Sequence, residues 1–327
     1  MKILHLNNIA NVAYEISRAQ RALGYQSDVL HFRDNALGYQ YDYLYKLERY
    51  PRPAYLALRL LHQLKFLDYD IFHLHSSFLF PFYLDPLLLR PLGKGVFFHF
   101  HGSDVRLKGK EPFFARFADA CWASNPDMLK LFSCPVTLMP LPIGVADYQK
   151  YDKGSENKDR PVVLHSASQP SVSGSDLVVR AVENLQRKGI NFEFVHLHKA
   201  SRQDYIEALV RADIVVDKIL PTTGTYAMMA LEAMSLKKTV CVNLTSETLE
   251  FMPGSNHPMV AVDQDNLEEK LAELIGDGEK RRRLGEQGYE YVLRYHDARV
   301  VAAEMLKMYQ MPKEELAALG KVLPIYL

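Results

Sequence analysis

Twice along this chain, short apolar runs alternate with stretches of helical spacing, and a polar segment separates the two series. In the first, Lys2–Leu6 predicts a buried strand and Val12–Leu23 a helix that Gly24 stops. Strands are expected at Ser27–Phe32, Ile71–His75 and Val96–His101, the last ending abruptly in the tetrapeptide His101-Gly102-Ser103-Asp104. Ala120–Ala123 and Val136–Met139 are short apolar runs flanking a helix at Pro126–Phe132. Such alternation implies a mostly parallel sheet covered on both faces. Polarity rises over Gly144–Arg160, which reads as a linker because Gly, Ser, Asn and mixed charges build no core. The pattern then restarts with strands at Pro161–His165, Phe192–Leu197 and Ile214–Asp217 and helices at Asp176–Lys188 and Arg202–Arg211. Three helices close it at Asp265–Ile275, Glu279–Tyr295 and Ala298–Gln310. The expectation is an α/β protein of two Rossmann-like domains with parallel sheets facing across a cleft. Their bounds are residues 1–143 and 161–327, joined by 144–160, with the last helix packing back on the first domain.

A length of 327 residues exceeds what one core usually holds, which agrees with two domains. Lys plus Arg and Asp plus Glu balance at 39 each, so charge gives no reason to expect nucleic acid as partner. Cys121, Cys134 and Cys241 show no metal-binding spacing and read as buried reduced thiols. The first residues lack the apolar run and cleavage site of a signal peptide. No apolar segment reaches the roughly 18 residues of a membrane span. A cytoplasmic protein is expected.

The richest segment is Pro221–Val242, which predicts a loop, an amphipathic helix and a buried strand. A helix start behind Gly224 offers unpaired N–H groups and a positive dipole end to a phosphate, through the amides of Thr225, Tyr226 and Ala227. Glu232, about two turns on, is placed to hydrogen-bond a ribose diol. Its neighbours Met228, Met229, Leu231, Ala233 and Met234 bury part of the helix, where an unpaired carboxylate is costly. A surface position for Glu232 is the alternative.

Together with MKILHLNNIANVAYEISRAQRALGYQSDVL, VFFHFHGSDVR, VVLHSASQPSVSGSDLVVRAVENL, RADIVVDK and YHDARVVAAEML, the segment MALEAMSLKKTV gives the chain a resemblance to the GT-B glycosyltransferases of the large retaining family four. The resemblance runs nearly end to end. It implies sugar transfer from a nucleotide-sugar donor held mainly by the C-terminal domain, an acceptor on the N-terminal domain, and neither cofactor nor metal. Glu232 matches the second acid of the family's Glu-x7-Glu, the ribose ligand, whereas Gly224 stands where the first, sugar-holding Glu belongs. Pro170 and Ser173 stand where an Arg and a Lys grip the diphosphate, and Asn7, Asn8 and Asn11 replace a glycine-rich turn. His101 matches the histidine that touches the donor sugar.

Two lost charge-assisted contacts of about 1.5–3 kcal/mol each weaken diphosphate binding about a hundredfold or more. Three readings follow: replacement cations, with Lys199 and Lys218 on loops at strand ends; a donor of lower charge, such as a CMP-sugar; or a non-catalytic GT-B subunit or scaffold. Ser171 and Ser173, with Ser175, are candidates for one phosphate, and capping of the next helix by Ser173 or Ser175 is the plainer reading.

His73, His75, His99 and His101 share strand faces, but no Cys, Asp or Glu completes a ligand set, so hydrogen-bonded histidines are expected rather than zinc. Asp104 orients an acceptor hydroxyl or acts as a base, or else caps the following turn. Tyr41–Phe66 interleaves Tyr with Lys and Arg, which fits either contact with an anionic membrane surface or domain packing. Arg281–Arg283 read as a solvated helix face. The expected activity is hexosyltransferase-like, with a glycan, lipid-linked or protein acceptor.

Overall fold

The computed structural model describes residues 1–32, 38–45, 51, 54, 57–58, 61, 64–80, 83–106, 109–151, 160–167, 170–220, 224–254 and 257–320. The chain forms two compact units, Met1–Pro142 with Ala298–Leu327, and Ile143–Asp297. Most of the 46–63 stretch of the basic aromatic segment lies outside the described residues. No helix among the described residues is long and apolar enough to cross a membrane.

Unit 1 is built on seven parallel strands: β1 (Lys2–Leu6), β2 (Gln26–His31), β3 (Tyr43–Leu44), β4 (Ile71–His75), β5 (Gly95–Phe100), β6 (Ala120–Ala123) and β7 (Thr137–Leu138). Their order is β3-β2-β1-β4-β5-β6-β7, so the winding direction reverses between β1 and β4. The near-continuous apolar runs of these strands follow from burial on both faces; Ile3, Leu4, Phe72, Leu74, Phe98 and Phe100 have no accessible surface. Helix α1 (Val12–Ala22) covers one face with Val12, Ala13, Ile16 and Ala19, and Leu23 and Gly24 close it through backbone bonds to residues 19–21. The expected helix at Pro126–Phe132 is a 3-10 segment, Pro126–Leu131. Between them, the sequence pattern missed the short helix α2 (Asp85–Leu89). A helical turn, α3 (Ser103–Arg106), follows β5.

Unit 2 has five parallel strands: β8 (Val162–Ala167), β9 (Glu193–His198), β10 (Ile214–Val216), β11 (Thr239–Val242) and β12 (Val260–Ala261). The order β12-β11-β10-β8-β9 reverses between β8 and β10. Its helices are α4 (Val145–Gln149), α5 (Pro170–Ser173), α6 (Ser175–Arg187), α7 (Arg202–Arg211), α8 (Met228–Ser235), α9 (Ser246–Phe251), α10 (Leu267–Gly276) and α11 (Gly278–Tyr295). Val163, Val178, Val182, Leu185, Ile214, Val216, Leu271 and Leu274 form one of its apolar cores.

Two sequence expectations differ from the structure here. The supposed linker opens with α4, whose Val145 and Tyr148 are buried, so unit 2 begins at Ile143. Polar neighbours hid that short amphipathic turn; residues 152–159 lie outside the described set. Unit 2 also ends at Asp297 rather than running to 327; α12 (Ala298–Met308), the helix assigned above to pack back on the first domain, lies against α1 in unit 1 and is followed by α13 (Lys313–Ala318). Arg281 likewise departs from the solvated-face reading. It is buried and donates to the Leu274 and Ile275 carbonyls at 2.6 and 2.8 Å, satisfying the open C-terminal end of α10.

Candidate functional site

In doubly wound sheets, ligands bind beyond the carboxyl ends of the strands where the winding reverses. In unit 2 that edge lies after β8 and β10, and the loop following β10 leads through Asp217 and Lys218 to α8. Residues 221–223 of this loop lie outside the described residues.

Gly224 has φ +53°. A Cβ there would stand 2.3 Å from Thr245 Cγ2 and 2.7 Å from its Oγ1. Thr245 in turn donates its N–H to the Gly224 carbonyl at 3.1 Å and caps α9 by accepting from Thr248 N–H. The position matching the family's sugar-holding Glu is therefore one that only glycine fits without strain. Thr225 is buried, and Tyr226 Oη lies 3.1 Å from His296 Nε2 at the end of α11.

The amide at Ala227 is not open to a ligand. It donates to Asp217 Oδ2 at 3.0 Å, so the phosphate cradle expected over residues 225–227 loses that N–H. Burial pushes the Asp217 carboxyl up, against the pull of Lys218 and of the Ala227 N–H. Asp217 was read as the end of a strand, and nothing in its local pattern marked it as an anchor for the next helix. The amides of Met228 and Met229, further into the start of α8, have no protein acceptor among the described residues.

Glu232 is buried, as its apolar neighbours implied, and three donors hold it. Oε1 accepts from Tyr148 Oη at 2.8 Å and pairs with Arg202 Nη1 at 2.7 Å. Oε2 accepts from Tyr205 Oη at 2.6 Å. Arg202 Nη2 also donates to Tyr148 Oη at 2.8 Å, which closes the ring. Burial, and after it the Glu232 charge, raises the pKa of both tyrosines, so both remain hydroxyl donors. A carboxylate offers about four acceptor positions. Three are taken here, leaving one on Oε2 with no donor among the described residues. Sequence reading missed Tyr148, Arg202 and Tyr205. The i, i+3 spacing of Arg202 and Tyr205 on α7 was the one local signal for those two, and Tyr148 had none.

The other candidates are placed as follows. Ser171 is exposed on the four-residue α5. Ser173 is buried and its carbonyl accepts from Ile219 N–H at 3.1 Å. Neither Ser173 nor Ser175 caps a helix; α6 has Gly174 at its N-cap, with φ +77°. The Ser175 hydroxyl instead bonds His165 Nε2 at 2.8 Å, while His165 Nδ1 donates to the Val216 carbonyl. Lys199 is exposed, with φ +51°, directly after β9. Lys218 lies beside Asp217, and its carbonyl accepts from Asn243.

In unit 1, the reversal between β1 and β4 gathers histidines. His5, His73, His75 and His99 have no accessible surface, and His101 follows at the end of β5. Register sets His5 beside His73 and His75 beside His99. Asn7 and Asn11 take left-handed conformations of φ +74° and +64°, which replace the expected glycines without glycine. Asn7 Nδ2 donates to the His75 carbonyl. His5, His73 and His75, and again His75, His99 and His101, hold nitrogens within 4.8 Å of one another. His101 reaches His75 and Ser124 through its two ring nitrogens. Asp104 falls in α3, and its side chain lies outside the described residues.

Comparison with known proteins agrees with these two folds. The family model Glycosyltransferase Family 4 matches residues 9–129, and the model Glycosyl transferase-like matches residues 169–307. Among solved structures, HepE of Anabaena, in complex with UDP and glucose, superposes with a TM-score of 0.65 at 13% identity, over 94% of this chain and 98% of its own. The sucrose-phosphate synthase of Thermosynechococcus elongatus gives 0.63 at 14% identity, over 97% and 100%. An α-glucosyltransferase in complex with UDP and DNA gives 0.67 at 13% identity, over 95% and 99%. No curated protein sequence matches the chain significantly. The two models, both of glycosyltransferases, together span most of the chain, and the chain is a GT-B glycosyltransferase that resembles family four.

Proposed function

We propose that the chain transfers a sugar from a nucleotide-sugar donor to a glycan, lipid-linked or protein acceptor, without a metal and with retention of anomeric configuration. The observation that carries this reading is Glu232, a buried carboxylate held by three donors with one acceptor position left over. A ribose hydroxyl suits that position. HepE and the α-glucosyltransferase, which share the fold, were solved with UDP, and this supports a nucleoside diphosphate as leaving group.

The amides of Met228 and Met229 and the dipole of α8 take the phosphate end of the donor. Arg202, Lys199 and Lys218 are the cations in unit 2 assigned to offset the lost Arg and Lys. His101 is assigned the donor sugar by the family resemblance alone. Among the described residues of unit 2 no side chain presents itself as a covalent nucleophile, so the proposed route is front-face attack assisted by the departing phosphate. The protein then contributes orientation and electrostatic stabilisation of that phosphate.

Two observations favour a second reading, a non-catalytic GT-B subunit: Gly224 excludes any side chain against Thr245, and Ala227 N–H is taken by Asp217. Calorimetric titration with UDP-, GDP- and CMP-sugars separates the two. Tight binding of one donor, lost in Glu232→Ala, supports the transferase. Absence of heat with every donor, with stable association to a second glycosyltransferase, sinks it. A response confined to CMP-sugars supports the donor of lower charge. Contact of residues 41–66 with an anionic membrane is a separate proposal, and failure to float with anionic liposomes at low salt rejects it.

A further inference from the structure

The histidines of unit 1 obey a strict donor and acceptor logic. Burial lowers His5 to about 4 and holds His75 and His99 well below the ordinary histidine value. Each of these rings is therefore neutral near pH 7, with one N–H and one lone pair. His5 Nε2 lies 2.8 Å from Gln20 Oε1, an oxygen that only accepts. The His5 proton is thus on Nε2, and Nδ1 accepts. His5 Nδ1 is 3.0 Å from His75 Nε2, which must donate. His75 Nδ1 then accepts from His101 Nε2, also at 3.0 Å. His101 Nδ1 accepts from the Ser124 hydroxyl at 2.8 Å, and Ser124 Oγ accepts from His99 Nε2 at 3.0 Å.

One consistent direction therefore satisfies five consecutive hydrogen bonds across β1, β4 and β5. The opposite direction puts a proton on His99 Nδ1, a buried nitrogen without a partner among the described residues. It also needs Gln20 turned so that its NH2 faces Ser27 Oγ, which now donates to Oε1 at 2.7 Å. His73 stands outside the relay, bonded through Nδ1 to Tyr309 Oη at 2.7 Å.

We infer that these side chains form one polarised relay, His99–Ser124–His101–His75–His5–Gln20, and that Gln20 is a positioning residue for His101. Three hydrogen bonds away, it fixes the His101 proton on Nε2 and the plane of the ring. His101 is then an imidazole with both ring nitrogens engaged, which meets a sugar through its ring edge alone and does not act as a general base. The functional part of this inference rests on the donor-sugar role proposed for His101; the tautomer does not.

Imidazole 15N NMR of the full chain tests it. Wild type is expected to show His101 protonated at Nε2. Gln20→Leu is expected to bring the Nδ1–H tautomer to comparable population. It is also expected to lower kcat about tenfold with little change in KM, the equivalent of one hydrogen bond. Gln20→Glu, which keeps an acceptor facing His5, retains the Nε2 proton. If Gln20→Leu fails to fold, Ser124→Ala decides instead: the His101 proton stays on Nε2 if Gln20 sets the direction. A wild-type Nδ1–H tautomer, an unmoved tautomer in folded Gln20→Leu, or a proton that moves in Ser124→Ala overturns the inference. Wild type that binds no nucleotide-sugar defeats the functional reading, while the NMR result still judges the relay.

Discussion

Two residues define unit 2's chemistry by what surrounds them. Glu232→Ala removes the acceptor from one buried and one half-buried tyrosine hydroxyl, Tyr148 and Tyr205, and the partner from Arg202. Each orphaned hydroxyl costs about 1–3 kcal/mol, so the variant is expected to lose both stability in urea and donor affinity. Tyr205→Phe, which removes one bond and leaves the ion pair, is the milder control, with a loss of about 2 kcal/mol. Gly224 makes the opposite point. Restoring the family acid by Gly224→Glu places a Cβ against Thr245 in a left-handed backbone. The expected result is a loss of about 2 kcal/mol or more and no gain in transfer rate. Thr245→Ser, which deletes the clashing methyl and keeps the cap, should recover part of that stability in the double variant. Unfolding curves of the four proteins check this. Glu232 was legible in sequence because Met, Leu and Ala flank it. Its donors were not, because Tyr148 stands 84 residues away and Arg202 and Tyr205 belong to a different helix. Gly224 was read as a missing carboxylate; that Thr245 fills the space is a long-range fact that no local pattern carries.

At the scale of elements, α11 lies against the turn after α8 through glycine. A Cβ at Gly285 would stand 2.0 Å from the Lys237 carbonyl oxygen, and one at Gly288 would stand 2.9 Å from Met234 Cγ. Gly285→Ala must push the helix away from unyielding backbone, and roughly 3 kcal/mol of destabilisation is expected in denaturant melts. Strands β1, β4 and β5 predict a pH response. His5 titrates at about 4 when folded and near its ordinary 6.5 when unfolded. The unfolded chain therefore takes up the proton first on acidification. The stability this ring contributes is complete above pH 6.5 and is lost as the pH falls towards 4. At pH 5 His5 alone costs on the order of 2 kcal/mol. His73, His75 and His99 act in the same direction. Scanning calorimetry from pH 7 to 5 should show a steep fall in Tm, flattened by His5→Gln. Short, near-continuous apolar runs made these strands readable, and the histidines at 73, 75, 99 and 101 with them. His5 was passed over because a single histidine within Lys2–Leu6 looks like an ordinary core position until β4 is laid beside it.

Over the whole molecule, alternation of strand and helix carried the fold, since a parallel sheet leaves no other economical way to connect its strands. The limits of each unit were less readable. Val145 and Tyr148 are too few apolar residues to stand out from polar surroundings, and α12 has the same amphipathic pattern whichever sheet it covers. Tyr309, just beyond α12, places its hydroxyl 2.7 Å from His73 in the interior of unit 1. Tyr309→Phe is expected to lower the stability of unit 1 by about 1 kcal/mol, with faster amide exchange in β4 as the local readout.

The return of residues 298–320 to the first sheet also sets an order of assembly during synthesis. Ribosomes release the chain from its amino end, so Met1–Pro142 emerges long before α12 and Tyr309 can cover it. The middle of the chain has all of its own strands and helices in hand first. The amino-terminal sheet has to wait, with the flank beside α1 open, which makes it the part that a chaperone would be expected to hold.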